Sequence, residues 1–419
     1  MIMSVFSSIV LCVLCFLLIR HESFRPPVIA ALGARLFAGI AFGLIYKYYY
    51  QGGDTWAFYR EASMLANHII QEPGSAWIVL FNTSAVPELV GQLQFLNEPR
   101  SLFFSKIISV LHLLTGGNYW IITAYLGLTS LSAAVFLVHQ LRKTFSGIEY
   151  AAEISFYFLP SFVFWTSGLL KESLVITAIF LSSGFAIRLA KTENSRKLLY
   201  WVSLVVSLYV LWKLKYYYAL VISPMIIGLI SFHYLQSWNR KLAPIAIAIV
   251  IGLGLLLSTQ HYNLHPSRVL SVMHNNFELS TSTGEGDLTY FSYDGSIGSF
   301  IVNAPLALFN GLFRPLIERP SNVLFFFASV ENLMVILLFL MALWKIVKRK
   351  LWAWFKNPFV LVTSSYIVIL SIAIAFTTAN LGTLMRYKSG YWAFFTLLLI
   401  MGLKHNKKAG NPTDPAFKK

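Results

Sequence analysis

Apolar runs long enough to cross a bilayer recur along nearly the whole chain, and they constrain its fold more than any other feature. A helix needs roughly 17–25 predominantly apolar residues to span the hydrocarbon core. The pattern predicts about eleven such spans, within a range of 10–13, near 3–19, 28–46, 119–138, 151–167, 173–189, 198–213, 217–235, 243–258, 323–344, 358–377 and 389–403. A membrane β-barrel would instead show alternating segments of about ten residues. The expected fold class is therefore all-α, a polytopic transmembrane helical protein. The composition agrees, because only 12% of the residues are charged whereas a soluble domain carries about 25%. The first run lacks a basic leader and a small-residue cleavage site, so it reads as a retained helix.

The net charge of +16 invites a nucleic-acid reading, but its distribution argues against one. Lys and Arg sit in short clusters between apolar runs, as membrane topology produces. With the N-terminus outside, most of the 33 basic residues fall on the inner side and most of the 17 acidic residues on the outer side. Residues 1–404 then form a single transmembrane domain with outer loops at about 47–118 and 259–322, followed by a short basic cytoplasmic tail, 405–419. The segments 102–115 and 297–313 are apolar but short or interrupted, and read as interfacial or re-entrant helices at the outer face. Cys12 and Cys15 lie together in the first span, which excludes a disulfide framework. No phosphate-binding glycine loop or dinucleotide fingerprint is present.

The stretch "YYYQGGDTWAFYREA" opens the first outer loop. Gly52 and Gly53 allow a sharp turn out of the membrane. Asp54 follows at the expected start of a helix, where it reads either as an N-cap or as a general base whose pKa partial burial would raise. Glu61 lies two turns on along the same face. Trp56 and Tyr59 stand beside the acid, suited to stacking on a sugar or to an interfacial aromatic belt. Four further clusters set cations at the outer face. They are "PSFVFWTSGLLKES" with Lys171, "WKLKYYYAL" with Lys213 and Lys215, "FNGLFRPLIERPSN" with Arg314 and Arg319, and "NLGTLMRYKSGYW" with Arg386 and Lys388. Such cations suit an anionic partner, a lipid-linked phosphate or a phospholipid headgroup. His261 and His265 have metal-compatible spacing, but Pro266 follows directly and no third ligand is evident. Glu285, Asp287 and Asp294 could join Asp54 around a hard cation such as Mg or Mn, although no calcium-loop spacing is met.

Across roughly 40–400 these motifs resemble the integral-membrane glycosyltransferases of the GT-C fold, particularly the bacterial members associated with polysaccharides and glycolipids. The resemblance implies a GT-C-like architecture with extracytoplasmic loop helices. It implies a polyprenyl-phosphate sugar as donor, an acceptor hydroxyl on a glycan, lipid or protein, and inverting transfer without a nucleotide in the active site. It assigns the catalytic acid of the first outer loop to Asp54 and phosphate contact to Arg386, with Lys388, Lys171, Lys213, Lys215 and Arg314 as further substrate contacts. It places the protein in a bacterial inner membrane with its site facing the periplasm or exterior. The chain departs from the family's pattern in having a single acid rather than an acidic pair, an extra helix before the acidic loop, and no soluble C-terminal domain.

Two other readings compete. An O-antigen polymerase or ligase-like enzyme would use a polyprenyl-pyrophosphate oligosaccharide and depend on Arg386 and Arg314 more than on Asp54. A transporter or flippase for a lipid-linked solute would need charges near the bilayer midplane and often an inverted repeat. Only Arg35 and Glu331 fall well inside the expected spans, away from their ends.

Overall fold

A computed structural model of the chain describes residues 2–21, 25–145, 147–191, 197–238, 266–282, 293–317, 323–349, 354–355, 357–378 and 380–404. Among them every regular element is helical. In chain order these are α1 (Ile2–His21), α2 (Arg25–Leu44), α3 (Asp54–Gln71), α4 (Ala76–Phe81), α5 (Pro87–Val90), α6 (Pro99–Thr115), α7 (Tyr119–Thr144) and α8 (Glu149–Glu153). They continue with α9 (Pro160–Ser167), α10 (Lys171–Lys191), α11 (Lys197–Trp238), α12 (Pro266–Ser282), α13 (Ile297–Phe313), α14 (Val323–Lys348), α15 (Pro358–Thr377) and α16 (Leu381–Lys404).

Among the described residues seven helices are long and apolar enough to cross a membrane: Ile2–Arg20, Pro26–Tyr49, Tyr119–Thr144, Lys171–Ala190, Lys197–Ser231, Leu324–Lys348 and Pro358–Thr377. Lys197–Ser231 covers two expected spans, with helical geometry interrupted inside it at Lys215 (φ −150°, ψ 87°). The expected span 151–167 is broken. A π-helical turn, Ile154–Phe158, ends at Leu159 in extended geometry before Pro160 opens α9. Proline pushes the residue before it out of the helical region, yet is itself well placed in a first helical turn. The expected span 389–403 lies within α16, which begins earlier, at Leu381, and carries Arg386 and Lys388 near its start. The expected span 243–258 lies outside the described residues.

The chain packs as two compact units. The first comprises Met1–Leu137, Val163–Leu181 and Val205–Tyr217. In it α1 is tied to its neighbours by small polar side chains. Ser4 Oγ donates to the Thr115 carbonyl at 2.8 Å, and Ser7 Oγ to the Tyr125 hydroxyl at 3.1 Å. On α2, Arg35 is fully buried, and its Nη1 donates to Ser130 Oγ at 2.9 Å and to the Thr166 hydroxyl. Amphipathic α3 buries Phe58, Ala62, Leu65, Ala66 and Ile69 on one stripe, the spacing a helix uses to present a core face. That stripe packs on α6.

The second unit comprises Val138–Phe162, Ser182–Leu204 and Tyr218–Lys419. Here α13 lies close against α15, because Gly311 presents no side chain; a Cβ there would stand 2.5 Å from the Ser371 carbonyl oxygen. Buried tyrosines fasten α16 to its neighbours through backbone carbonyls. Tyr391 donates to Gly311 at 2.6 Å, Tyr366 to Gly390 at 2.9 Å and Tyr218 to Tyr387 at 2.6 Å.

Candidate functional site

Of the candidate catalytic and substrate-binding residues, Asp54, Trp56, Tyr59, Glu61, Lys171, Lys213 and Lys215 fall in the first unit, and Arg314, Arg386 and Lys388 in the second. In the first unit the chain leaves α2 through a π-helical turn, Ile45–Tyr49. It then reverses through Gln51 (φ 52°), Gly52 (φ 155°) and Gly53 (φ 88°). At Gly53 the geometry demands glycine twice over, since a Cβ would also stand 2.7 Å from the Tyr46 ring. Gly53 takes the N-cap position of α3, its carbonyl accepting from the Trp56 and Ala57 amides. Asp54 is therefore the first helical residue rather than the cap. Its exposed carboxylate stands at the positive end of the helix dipole.

Positions 54, 58 and 61 share one face of α3. Phe58 is buried against Phe95 and Phe104, with ring centroids 4.7 Å and 5.0 Å away. The Lys171 ammonium lies 5.2 Å from the Phe58 centroid and donates to Ser101 Oγ at 3.0 Å. The Ser101 hydroxyl in turn donates to Glu98 Oε2 at 2.7 Å. Glu61, one turn beyond Phe58, is buried and accepts the Phe95 amide at 2.7 Å on Oε2. Burial pushes the Glu61 carboxyl above the usual carboxylate range, opposed by hydrogen bonds from Phe95, Ser105 and Gln94.

The folded state thus holds the Glu61 proton more tightly than the unfolded chain does. The stability this confers is complete below the ordinary carboxylate range and is lost as pH rises through the elevated pKa. Glu61→Gln removes the titration. Its melting temperature should stay level across that window while the wild type's falls. Parallel profiles for the two proteins would show that the carboxyl titrates normally.

The aromatics beside Asp54 are built into the wall. Trp56 stacks on Tyr119 at 4.1 Å and 13°, and its indole N–H donates to the Gly43 carbonyl at 3.3 Å. Tyr59 donates its hydroxyl to the Gly117 carbonyl at 2.6 Å. On α11, Lys215 is buried and forms an ion pair with buried Glu172, Nζ to Oε1 at 2.6 Å. Lys213, two residues earlier, is exposed, 5.9 Å from the Tyr209 ring centroid.

In the second unit Lys388 is buried, and its three N–H groups go to the Leu312 carbonyl at 3.0 Å, the Arg314 carbonyl at 2.9 Å and Asn332 Oδ1 at 3.0 Å. Beside it Glu331 accepts from the Ser161 amide (2.7 Å), the Ser161 hydroxyl (2.8 Å) and the Trp392 indole (2.8 Å). These buried charges are met by hydrogen bonds, as charges in a low-dielectric interior require. Arg314 is buried, with Nε donating to Asn310 Oδ1 at 3.2 Å. Arg386 is half-buried, its guanidinium 5.3 Å from the Tyr387 centroid.

Sequence reasoning overlooked two cations of α6. The exposed Arg100 guanidinium lies 4.1 Å over the Tyr216 ring, and Lys106 is half-buried further along the helix. Their signal was faint, two basic residues in the otherwise apolar "PRSLFFSKIIS". Among the described residues no group of three His, Cys, Asp or Glu side chains could hold a metal ion. His261, His265, Glu285, Asp287 and Arg319 lie outside the described residues, whereas exposed Asp294 accepts the Ser296 amide at 2.8 Å. Compared with protein-family models, with curated proteins and with solved structures, the chain matches none.

Proposed function

We propose that this membrane protein is a glycosyltransferase of the GT-C kind. It moves a sugar from a polyprenyl-phosphate donor to an acceptor hydroxyl on the outer face of a bacterial inner membrane. The observation that carries this reading is the face of α3: an exposed carboxylate, Asp54, one turn from Phe58, over whose ring Lys171 places its ammonium. An acid and a cation on one face serve the two ends of a displacement. Asp54 takes the proton of the acceptor hydroxyl. The hydroxyl oxygen bonds to the anomeric carbon from the side opposite the phosphate, so the centre inverts. The carbon–oxygen bond to phosphate breaks, and Lys171 and Lys213 stabilise the charge on the departing polyprenyl phosphate.

The full count of about eleven spans belongs to this proposal. The two halves of α11 on either side of Lys215 would count separately. The α8–α9 segment, α16 and residues 243–258 would supply the rest. A donor titration tests the phosphate role. Lys171→Met should raise the KM for donor about tenfold, the loss of one charge-assisted contact. An unchanged KM would remove Lys171 from the site. Arg386→Ala is the control for the polymerase-like reading, in which it, rather than Asp54→Asn, is the inactive variant.

A further inference from the structure

Three lysines of the second unit gather where α14 and α16 end. Lys345 and Lys348 occupy the last turn of α14, and Lys404 closes α16. The two helices pack together. Partly buried Lys345 donates to the Leu403 carbonyl, next to Lys404, which uses one of its three N–H groups. Gly402 lets α16 come close, since a Cβ there would lie 3.7 Å from Ile346 and 3.5 Å from Trp354. Lys404 lies 5.4 Å from the Tyr150 ring centroid, which brings in α8, and Lys348 lies 4.4 Å from that of Trp344. Lys348 and Lys404 are both exposed.

Among the described residues no carboxylate forms an ion pair with Lys345, Lys348 or Lys404. Two acids lie on α8. Glu153 is taken by Arg142, and Glu149 accepts the Gly147 amide at 3.3 Å. With Glu149 counted in full, and roughly half a negative charge for each of the two helix C-termini, the three lysines keep about one positive charge. Arg349, the residue after α14, adds to it. The surface leading to these cations is apolar. Met334, Leu337, Met341 and Trp344 share one face of α14, each more than half exposed, and Lys348 ends that stripe. Membrane helices commonly show apolar side chains to lipid. This stripe differs in ending on a tryptophan, suited to the headgroup level, and on ammonium groups drawn from two helices.

We propose that Lys345, Lys348 and Lys404 bind the phosphodiester headgroup of an anionic phospholipid of the cytoplasmic leaflet, with an acyl chain lying along the 334–344 face of α14. The phosphate bridges the ends of α14 and α16. The site stands whatever reaction the first unit catalyses.

Equilibrium binding of fluorescent phosphatidylglycerol to the purified full-length protein in neutral detergent micelles tests it, with unlabelled phosphatidylglycerol, phosphatidylcholine and inorganic phosphate as competitors. The variants are Lys348→Gln and Lys404→Gln, whose side chains are exposed at helix ends, and Lys197→Gln, a cation of the same unit at the start of α11. Phosphatidylglycerol should compete at least about tenfold better than phosphatidylcholine. Lys348→Gln and Lys404→Gln should each weaken binding about fivefold, the contribution of one basic residue at an anionic lipid surface, and Lys197→Gln should leave it unchanged. Equal competition by phosphatidylcholine overturns the proposal, as does unchanged binding in Lys348→Gln and Lys404→Gln. An equal loss in all three variants marks a diffuse surface charge and overturns it too. Displacement by equimolar inorganic phosphate overturns the lipid assignment.

Discussion

Asp54→Asn should reduce the rate of sugar transfer by about 10²–10⁴-fold, the range a positioned general base supplies. Donor binding should be unchanged. The substitution is nearly isosteric, and the side chain is exposed at the first residue of α3, where the cap position belongs to Gly53. Loss of its interaction with the helix dipole should cost about 0.3–1 kcal/mol. The measurement is single-turnover transfer beside an equilibrium donor titration. Full activity of Asp54→Asn would leave Asp54 as a dipole-stabilising residue and pass the chemistry to other groups.

The second large effect concerns the ion pair of Lys215 and Glu172. Lys215 is 4% exposed and Glu172 1%. Removing one partner leaves the other charge uncompensated, so Lys215→Met should lower stability by about 3–5 kcal/mol. Removing both charges lifts that penalty, and Glu172→Gln with Lys215→Met should recover most of the loss. Unfolding of the single and double variants in detergent measures the coupling. The same pair of variants separates structure from binding. If Lys215 acts only on packing, the double variant regains transfer activity along with stability. If Lys215 contacts the donor phosphate, the double variant is stable and still impaired.

Much of this arrangement was legible along the chain. Apolar runs mark α1, α2, α7, α10, α14 and α15, because burial in a bilayer demands length and hydrophobicity that composition shows directly. The pair Gly52–Gly53 before Asp54 announced a turn into a helix, whereas 151–167 was expected as one span and breaks before Pro160. The cations of "WKLKYYYAL" marked the place where α11 is interrupted, although only the structure puts the interruption at Lys215. What could not be read is what faces what across helices. Spacing places Lys171 and Glu172 side by side, yet one reaches Ser101 and Phe58 while the other pairs with Lys215. Lys388 looked like an outer cation, and its N–H groups are spent on two carbonyls and Asn332. Glu331, Ser161 and Trp392 meet from three distant stretches. No periodicity encodes such meetings, and the approach of Arg100 to Tyr216 on α11 escaped for the same reason.

The most direct measurement is transfer itself. The full-length protein is reconstituted in lipid vesicles with a panel of polyprenyl-phosphate sugars and a total membrane glycolipid extract as acceptor. Release of polyprenyl phosphate and the linkage of the transferred sugar are followed. A GT-C transferase consumes at least one donor and forms an inverted glycosidic bond, and it does so without added nucleotide sugar. If every donor remains intact while labelled polyprenyl-linked sugars move from one leaflet to the other, the protein is a transporter and Asp54 is not a catalytic base.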